Sequence, residues 1–163
     1  MTLNTSTFSL AGKKGLILGV ANESSIAWGC TQLMHQLGAE LVVSCLNDKA
    51  RRFVEPLTQP IGVELVTCNV EEEGELEAAV QHAIARMGQL DFVIHSIAWA
   101  PLADLHGNVI DSSSDGFSRA MAVSCHSFAR LAKLCAPHMP NGGSMLSMTY
   151  LGADEAVPHY GLM

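Results

Sequence analysis

The chain has 163 residues, 48% of them apolar and 15% charged, which is enough for one domain with a buried core and unlike a disordered chain. The formal net charge is −7, with nine Lys and Arg together, so the basic face that nucleic acid needs is not in evidence. No apolar run approaches the ~20 residues of a membrane span, and residues 1–9 lack the basic and apolar regions of a signal peptide. Five scattered cysteines without a C-x-x-C pair read as reduced core thiols of a cytoplasmic protein.

The first predicted strand is Lys14–Val20, apolar enough for burial on both faces. A glycine turn, Gly19-Val20-Ala21-Asn22-Glu23-Ser24, leads into a helix over Ser25–Leu37. The apolar set of that helix is Ile26, Cys30, Leu33, Met34 and Leu37, with Gly38 at its C-terminal end. Strand two is Glu40–Cys45, followed by a short helix over Lys49–Thr58 that stops near Pro60. Strand three is Val63–Cys68. A helix over Glu72–Met87 follows, with Leu76, Ala79, Val80, Ala83, Ile84 and Met87 on one face and an acidic first turn. Strand four is Asp91–His95 and Ala98–Asp111 reads as a loop. One long helix over Ser114–His138, with Phe117, Met121, Phe128, Leu131 and Cys135 on its apolar face, precedes strand five at Gly143–Thr149.

Strands alternating with helices of this length predict an α/β fold with a parallel sheet. Right-handed crossovers make it a Rossmann-like, doubly wound sheet, here of about five strands, in a single domain over 1–163. A ligand would lie outside the carboxyl ends of the strands. Polar or small residues stand there after every strand. They are Gly19 to Ile26, then Leu46, then Asn69-Val70, then His95-Ser96-Ile97-Ala98-Trp99-Ala100-Pro101, then Thr149-Tyr150-Leu151-Gly152-Ala153. The strand–turn–helix at Gly19 offers free helix N–H groups to an anion, although it lacks the G-x-G-x-x-G fingerprint. Asn69 reads equally as a turn residue or an adenine contact. Trp99 reads as a core cap or a pocket wall. The seven histidines show no metal-ligand spacing. Both tyrosines, Tyr150 and Tyr160, lie just beyond the last strand.

These segments resemble the short-chain dehydrogenase/reductase superfamily and, within it, the bacterial enoyl-acyl-carrier-protein reductases. The matching stretches are Gly19–Gly29, Asn47–Lys49, His95–Pro101, Ser127-Phe128 and Tyr150–Met163. The long glycine turn with Ser25-Ile26-Ala27 and the Tyr-Leu-Gly-Ala segment, with a second tyrosine ten residues on, mark the subgroup. The resemblance implies NADH-dependent reduction of a trans-2-enoyl thioester carried on acyl carrier protein, in fatty-acid biosynthesis. It implies that Tyr160 donates to the developing oxyanion and that Tyr150 is a second active-site tyrosine. Gly19, Ser25 and Ile26 then contact pyrophosphate and ribose, Leu46 the adenosine ribose, Asn69 and Val70 the adenine, Ile97 the nicotinamide side, and Ala100 the acyl substrate. Leu46 offers no cation to a 2′-phosphate, which favours NADH over NADPH. The family's tetramer implies a homo-oligomer in the complete protein.

Three positions depart from the family pattern. Asn69 stands where aspartate is usual, His126 where tyrosine is common, and His159 where asparagine precedes the second tyrosine. The family's lysine would fall at position 167, or 164 by the superfamily spacing, past Met163. The expectation is therefore a chain truncated at its C-terminus, with impaired turnover. Alternatives are a short-chain reductase of carbonyl substrates and a dinucleotide-binding protein without turnover.

Overall fold

The computed structural model describes residues 8–162, so most of the reading of residues 1–9 lies outside the described residues. Five parallel strands form one sheet in the order β3-β2-β1-β4-β5. They are β1 (Lys14–Leu18), β2 (Glu40–Cys45), β3 (Glu64–Thr67), β4 (Phe92–His95) and β5 (Ser144–Ser147). β1 is central, with Leu16 opposite Val42 on one side and Val93 on the other. The chain winds outward from β1 first through β2 and β3, then through β4 and β5, so the order reverses between β1 and β4. That reversal opens a crevice at the carboxyl ends of these strands.

Alternation along β1 sends Leu16 and Leu18 to one face and Ile17 to the other. The first face packs on α3 (Glu75–Met87) and α6 (Ser127–Cys135), through Leu76, Ala79, Val80, Ala83, Leu131 and Cys135. The second packs on α1 (Ile26–Gln36) and α2 (Asp48–Thr58), through Ala27, Trp28 and Val54. The result is three layers, helices over a sheet over helices. At the opposite end of the sheet, Asp91 joins strands by accepting hydrogen bonds from Lys13 Nζ (3.0 Å) and the Lys14 amide (2.9 Å). Burial opposes that carboxylate, but the bonds from Lys13 and Lys14 prevail and hold its pKa below the ordinary value.

Several expectations are corrected. The fully buried residues of α1 are Ala27, Trp28 and Thr31; Cys30 and Met34 of the expected set pack against the same core, while Ile26 is 62% exposed. Thr31 tolerates burial because its hydroxyl donates to the Ala27 carbonyl (2.8 Å). α3 starts at Glu75 rather than Glu72, because residues 69–74 form a turn closed by Gly74 in left-handed backbone (φ 84°). The segment at 98–111 contains one helical turn, α4 (Leu102–Leu105), and a 3₁₀ turn at Val109–Asp111.

The predicted long helix is α5 (Ser114–Met121) and α6 joined by a π-turn at Ala122–His126. A π-turn carries more residues per turn than the 3.6 on which the apolar face was counted. The buried side therefore runs through Gly116, Ala120, Val123, Ser127, Leu131 and Cys135, and Phe117 and Met121 are left 50% and 46% exposed. Among the cysteines, Cys45, Cys68 and Cys135 are buried, Cys30 is intermediate and Cys125 is exposed. No helix among the described residues is long and apolar enough to cross a membrane.

Candidate active site

The chain leaves β1 through Gly19, whose backbone is left-handed (φ 97°). A Cβ at Gly19 would collide with the Ser96 carbonyl oxygen at the end of β4. Glycine is therefore needed here on two counts, conformation and close approach. The turn is anchored on β2, since the Gly19 and Val20 amides both donate to the Ser44 carbonyl (3.2 and 2.8 Å). Ser25 sits at the N-cap of α1, but its hydroxyl is turned back to the Asn22 carbonyl (2.7 Å) and caps no helix amide. The first turn of α1 also carries no acidic residue. An anion would meet neither competing carboxylate nor competing cap there.

Four strand ends line one cleft of about 310 Å³ at the reversal of strand order. Gly19, Val20 and Ala21 come from β1, Leu46 from β2, Cys68 to Glu71 from β3, and Ser96 to Trp99 from β4, with Val123 of the π-turn as a wall. Asn69 is a turn residue that also lines the cleft. Its Oδ1 accepts from the Glu71 amide (3.1 Å). Arg130 of α6 donates to the Val70 carbonyl (3.1 Å) and to Glu77 (3.0 Å), which fixes the β3 corner of the rim.

Trp99 is a wall of the cleft. Its amide donates to Ser124 Oγ (2.9 Å) and its carbonyl accepts from the same hydroxyl (3.0 Å). The Arg119 guanidinium lies 4.5 Å from its ring centroid and pairs bidentately with Glu71, at 3.0 and 3.2 Å. Trp99, Arg119 and Glu71 thus clasp the ends of β3 and β4 to α5. Burial pushes the Cys68 thiol up to about 12, so it lines the cleft as an inert apolar group. A neighbouring depression is lined by Leu46, Asn47, Asp48, Thr67, Asn69, Glu72 and Glu75. Its three carboxylates give that side of the rim a negative character.

Beyond β5, the rings of Tyr150 and Tyr160 meet edge to face with centroids 5.1 Å apart. The segment carrying Tyr160 is held against the end of α4 by the Gly161 amide, which donates to the Leu105 carbonyl (3.0 Å). His159 before it takes left-handed backbone (φ 60°), a region where Asn, Asp and His are enriched.

Of the residues singled out in the sequence, Gly19, Leu46, Asn69, Val70 and Ile97 line the cleft. Ser25 and Ile26 stand at the start of α1, Ala100 just before α4, and the two tyrosines after β5, all outside that lining. Glu71 and Arg119 escaped sequence reasoning. They are 48 residues apart, and no local pattern pairs them. A larger depression of about 570 Å³ lies elsewhere, beside Phe8, Leu10, Met34, Leu37, Phe92, Ile94 and Leu146. It includes Lys13, Asp91 and Ser144 from the strand starts, so it is not the crevice at the carboxyl ends.

Strand order and crevice define a Rossmann-like, doubly wound α/β protein. A family model described as Enoyl-(Acyl carrier protein) reductase matches residues 19–163. An enoyl-acyl-carrier-protein reductase (NADH) FabI of Synechocystis sp. is 40% identical over 158 residues, covering 94% of this chain and 61% of that relative. A second such reductase, from Rhizobium meliloti, is also 40% identical, covering 93% of this chain and 57% of its own length. The crystal structure of the Anaplasma phagocytophilum reductase in complex with NAD superposes with a TM-score of 0.90 at 36% identity, covering 95% of this chain and 60% of that one. The Bacillus cereus reductase, solved with NADP+ and an indole naphthyridinone, gives 0.91 at 33% identity, covering 96% and 62%. The chain therefore belongs to the enoyl-acyl-carrier-protein reductase family of the short-chain dehydrogenases/reductases. It spans about 60% of the length of these relatives.

Proposed function

We propose that this chain binds NADH in the cleft at the strand-order reversal and serves the reduction of a trans-2-enoyl thioester carried on acyl carrier protein. The observation that carries the reading is the convergence of four strand ends on that one cleft, with Gly19 packed too tightly on Ser96 to admit a side chain. The uncapped first turn of α1, at Ser25 and Ile26, suits the pyrophosphate. Leu46 would hold the adenosine ribose, Asn69 and Val70 the adenine, and Ile97 the nicotinamide side; all four line the cleft. Asp48, Glu72 and Glu75 near Leu46 would repel a 2′-phosphate, so NADH is favoured over NADPH.

NADH, when bound, would supply a hydride to the β-carbon of the enoyl group, whose α-carbon takes its proton from solvent. The protein's part is then to stabilise the charge that develops on the thioester oxygen. Tyr160 donates its phenol proton in a hydrogen bond to that oxygen, and Tyr150, in ring contact with it, holds it in place. Ala100 lies where the acyl chain enters. The protein works in the cytoplasm as a homo-oligomer, a tetramer in its complete form. Apolar side chains left outside on α4 and α5 and between them, Leu102, Val109, Ile110, Phe117 and Met121, support association.

The test is titration of the chain with NADH and NADPH by fluorescence, followed by NADH consumption with crotonyl-CoA and with a ketone. The reading expects NADH to bind at least about tenfold more tightly than NADPH, the scale of one unfavourable charge contact, and crotonyl-CoA to be reduced. Reduction of the ketone instead would make the chain a carbonyl reductase. NADH binding with neither substrate consumed would leave a dinucleotide-binding protein without turnover.

A further inference from the structure

His95, the last residue of β4, is 1% exposed, and the proposed chemistry makes no use of it. Its Nε2 lies 2.7 Å from Ser127 Oγ, and Ser127 Oγ lies 2.6 Å from the Val123 carbonyl. A carbonyl only accepts, so the single hydroxyl proton of Ser127 goes to Val123. The remaining contact requires a proton on Nε2. Burial among uncharged groups disfavours the imidazolium, so the ring is neutral, His95 is the Nε2–H tautomer, and its bare Nδ1 accepts from Ser147 Oγ of β5 at 3.4 Å. The Phe128 ring covers the imidazole, with centroids 5.5 Å apart.

The Ser127 side leads to the cleft and the Ser147 side to the tyrosines beyond β5. Val123 lines the cleft, and the next residue of the π-turn, Ser124, holds Trp99 by both backbone groups. Ser96 and Ile97, directly after His95, line the cleft as well. Ser147 lies three residues before Tyr150. One imidazole thus joins the end of β4, the π-turn and the end of β5. We infer that His95 is a positioning residue, which as the neutral Nε2–H tautomer sets the π-turn and the β5 end against the cofactor cleft. The inference rests on the proposed NADH cleft for its binding readout, but not for its tautomer.

The tautomer is read on the unmodified chain from the ¹⁵N shifts of the His95 imidazole near neutral pH. Protonated Nε2 with bare Nδ1 is expected, and protonated Nδ1 overturns the inference whatever the variants do. For the binding arm, Ser127→Ala is expected to weaken NADH about tenfold, the scale of one lost buried hydrogen bond. His95→Gln carries an amide N–H to the Nε2 position and is expected to retain near-native affinity. His95→Asn reaches only the Nδ1 side and is expected to bind as weakly as Ser127→Ala. Thermal midpoints measured alongside separate positioning from folding. Equal NADH affinity in all three variants, or losses that merely follow the midpoints, overturns the inference. If the unmodified chain binds no NADH, the cofactor reading fails instead, and the tautomer decides this one.

Discussion

Gly19 and His95 both bear on the end of β4. Gly19 presses the first turn against the Ser96 carbonyl, and His95 fixes the strand end that presents it. Gly19→Ala is expected to cost about 1–2 kcal/mol for its left-handed backbone and about 1–3 kcal/mol more for displacing the β4 end. Urea unfolding checks this, and a loss below about 1 kcal/mol would mean that the turn relaxes freely. His95 adds a pH dependence. Burial lowers its pKa from the ordinary 6.5, and the groups against the ring are uncharged, the hydroxyls of Ser127 and Ser147 and the ring of Phe128. The unfolded chain then takes up a proton at a higher pH than the folded one. The stability this contributes is complete above pH 6.5 and falls as pH drops below that value toward the folded pKa. Unfolding midpoints from about pH 8 down to about pH 5 should decline in the native chain and decline less in His95→Gln. Identical slopes would show that His95 does not titrate in this range.

At the scale of elements, the strands and α3 were legible because one periodicity governs each. Leu76, Ala79, Val80, Ala83 and Met87 stay on one buried face throughout. α1 was read only in part: Cys30 and Met34 do face the core, but its fully buried positions include Ala27 and Thr31, one too small and one too polar to register as an apolar stripe. The α5–α6 helix was misread because its phase changes at the π-turn, and no residue in Ala122–His126 announces a fifth residue in the turn. Deleting Cys125, which is exposed, tests that phase. Without the extra residue the wide turn can close as an ordinary α-turn, with α5 and α6 still in phase and Leu131 still in the core. The expected loss is below about 1 kcal/mol, measured by denaturant unfolding. A loss of about 2–5 kcal/mol, that of an emptied leucine site, would show that α6 turns with the deletion and carries Leu131 out of the core. The Glu71–Arg119–Trp99 clasp was illegible for a different reason, since only the folded sheet brings the three residues together.

The whole molecule divides its labour between the two ends of one sheet. The carboxyl ends of the strands build the cleft. Away from it, β5 pairs only with β4 among the described residues, and Leu146, 53% exposed, borders an open apolar depression with Phe8, Leu10, Met34, Leu37, Phe92 and Ile94. Apolar surface of that kind promotes association. Light scattering should show the native chain gaining mass with concentration and Leu146→Asp gaining less. NADH affinity should be unchanged in that variant, because Leu146 lies outside the cleft lining. An equal rise in both proteins would place the association elsewhere.

The central place of β1 also sets a schedule. Its partner β2 follows soon after it in the chain, but Asp91, the residue that meets Lys14 on the β4 side, comes 77 residues later. At ribosomal rates of about 5–20 residues per second, that side of β1 waits roughly 4–15 s for its partner. The glycine turn is thus among the first parts of the site to be made, yet the Ser96 carbonyl that it packs against comes only with the end of β4. During synthesis the nascent chain presents an apolar strand edge open to mispairing, and the cleft does not exist until β4 has closed it.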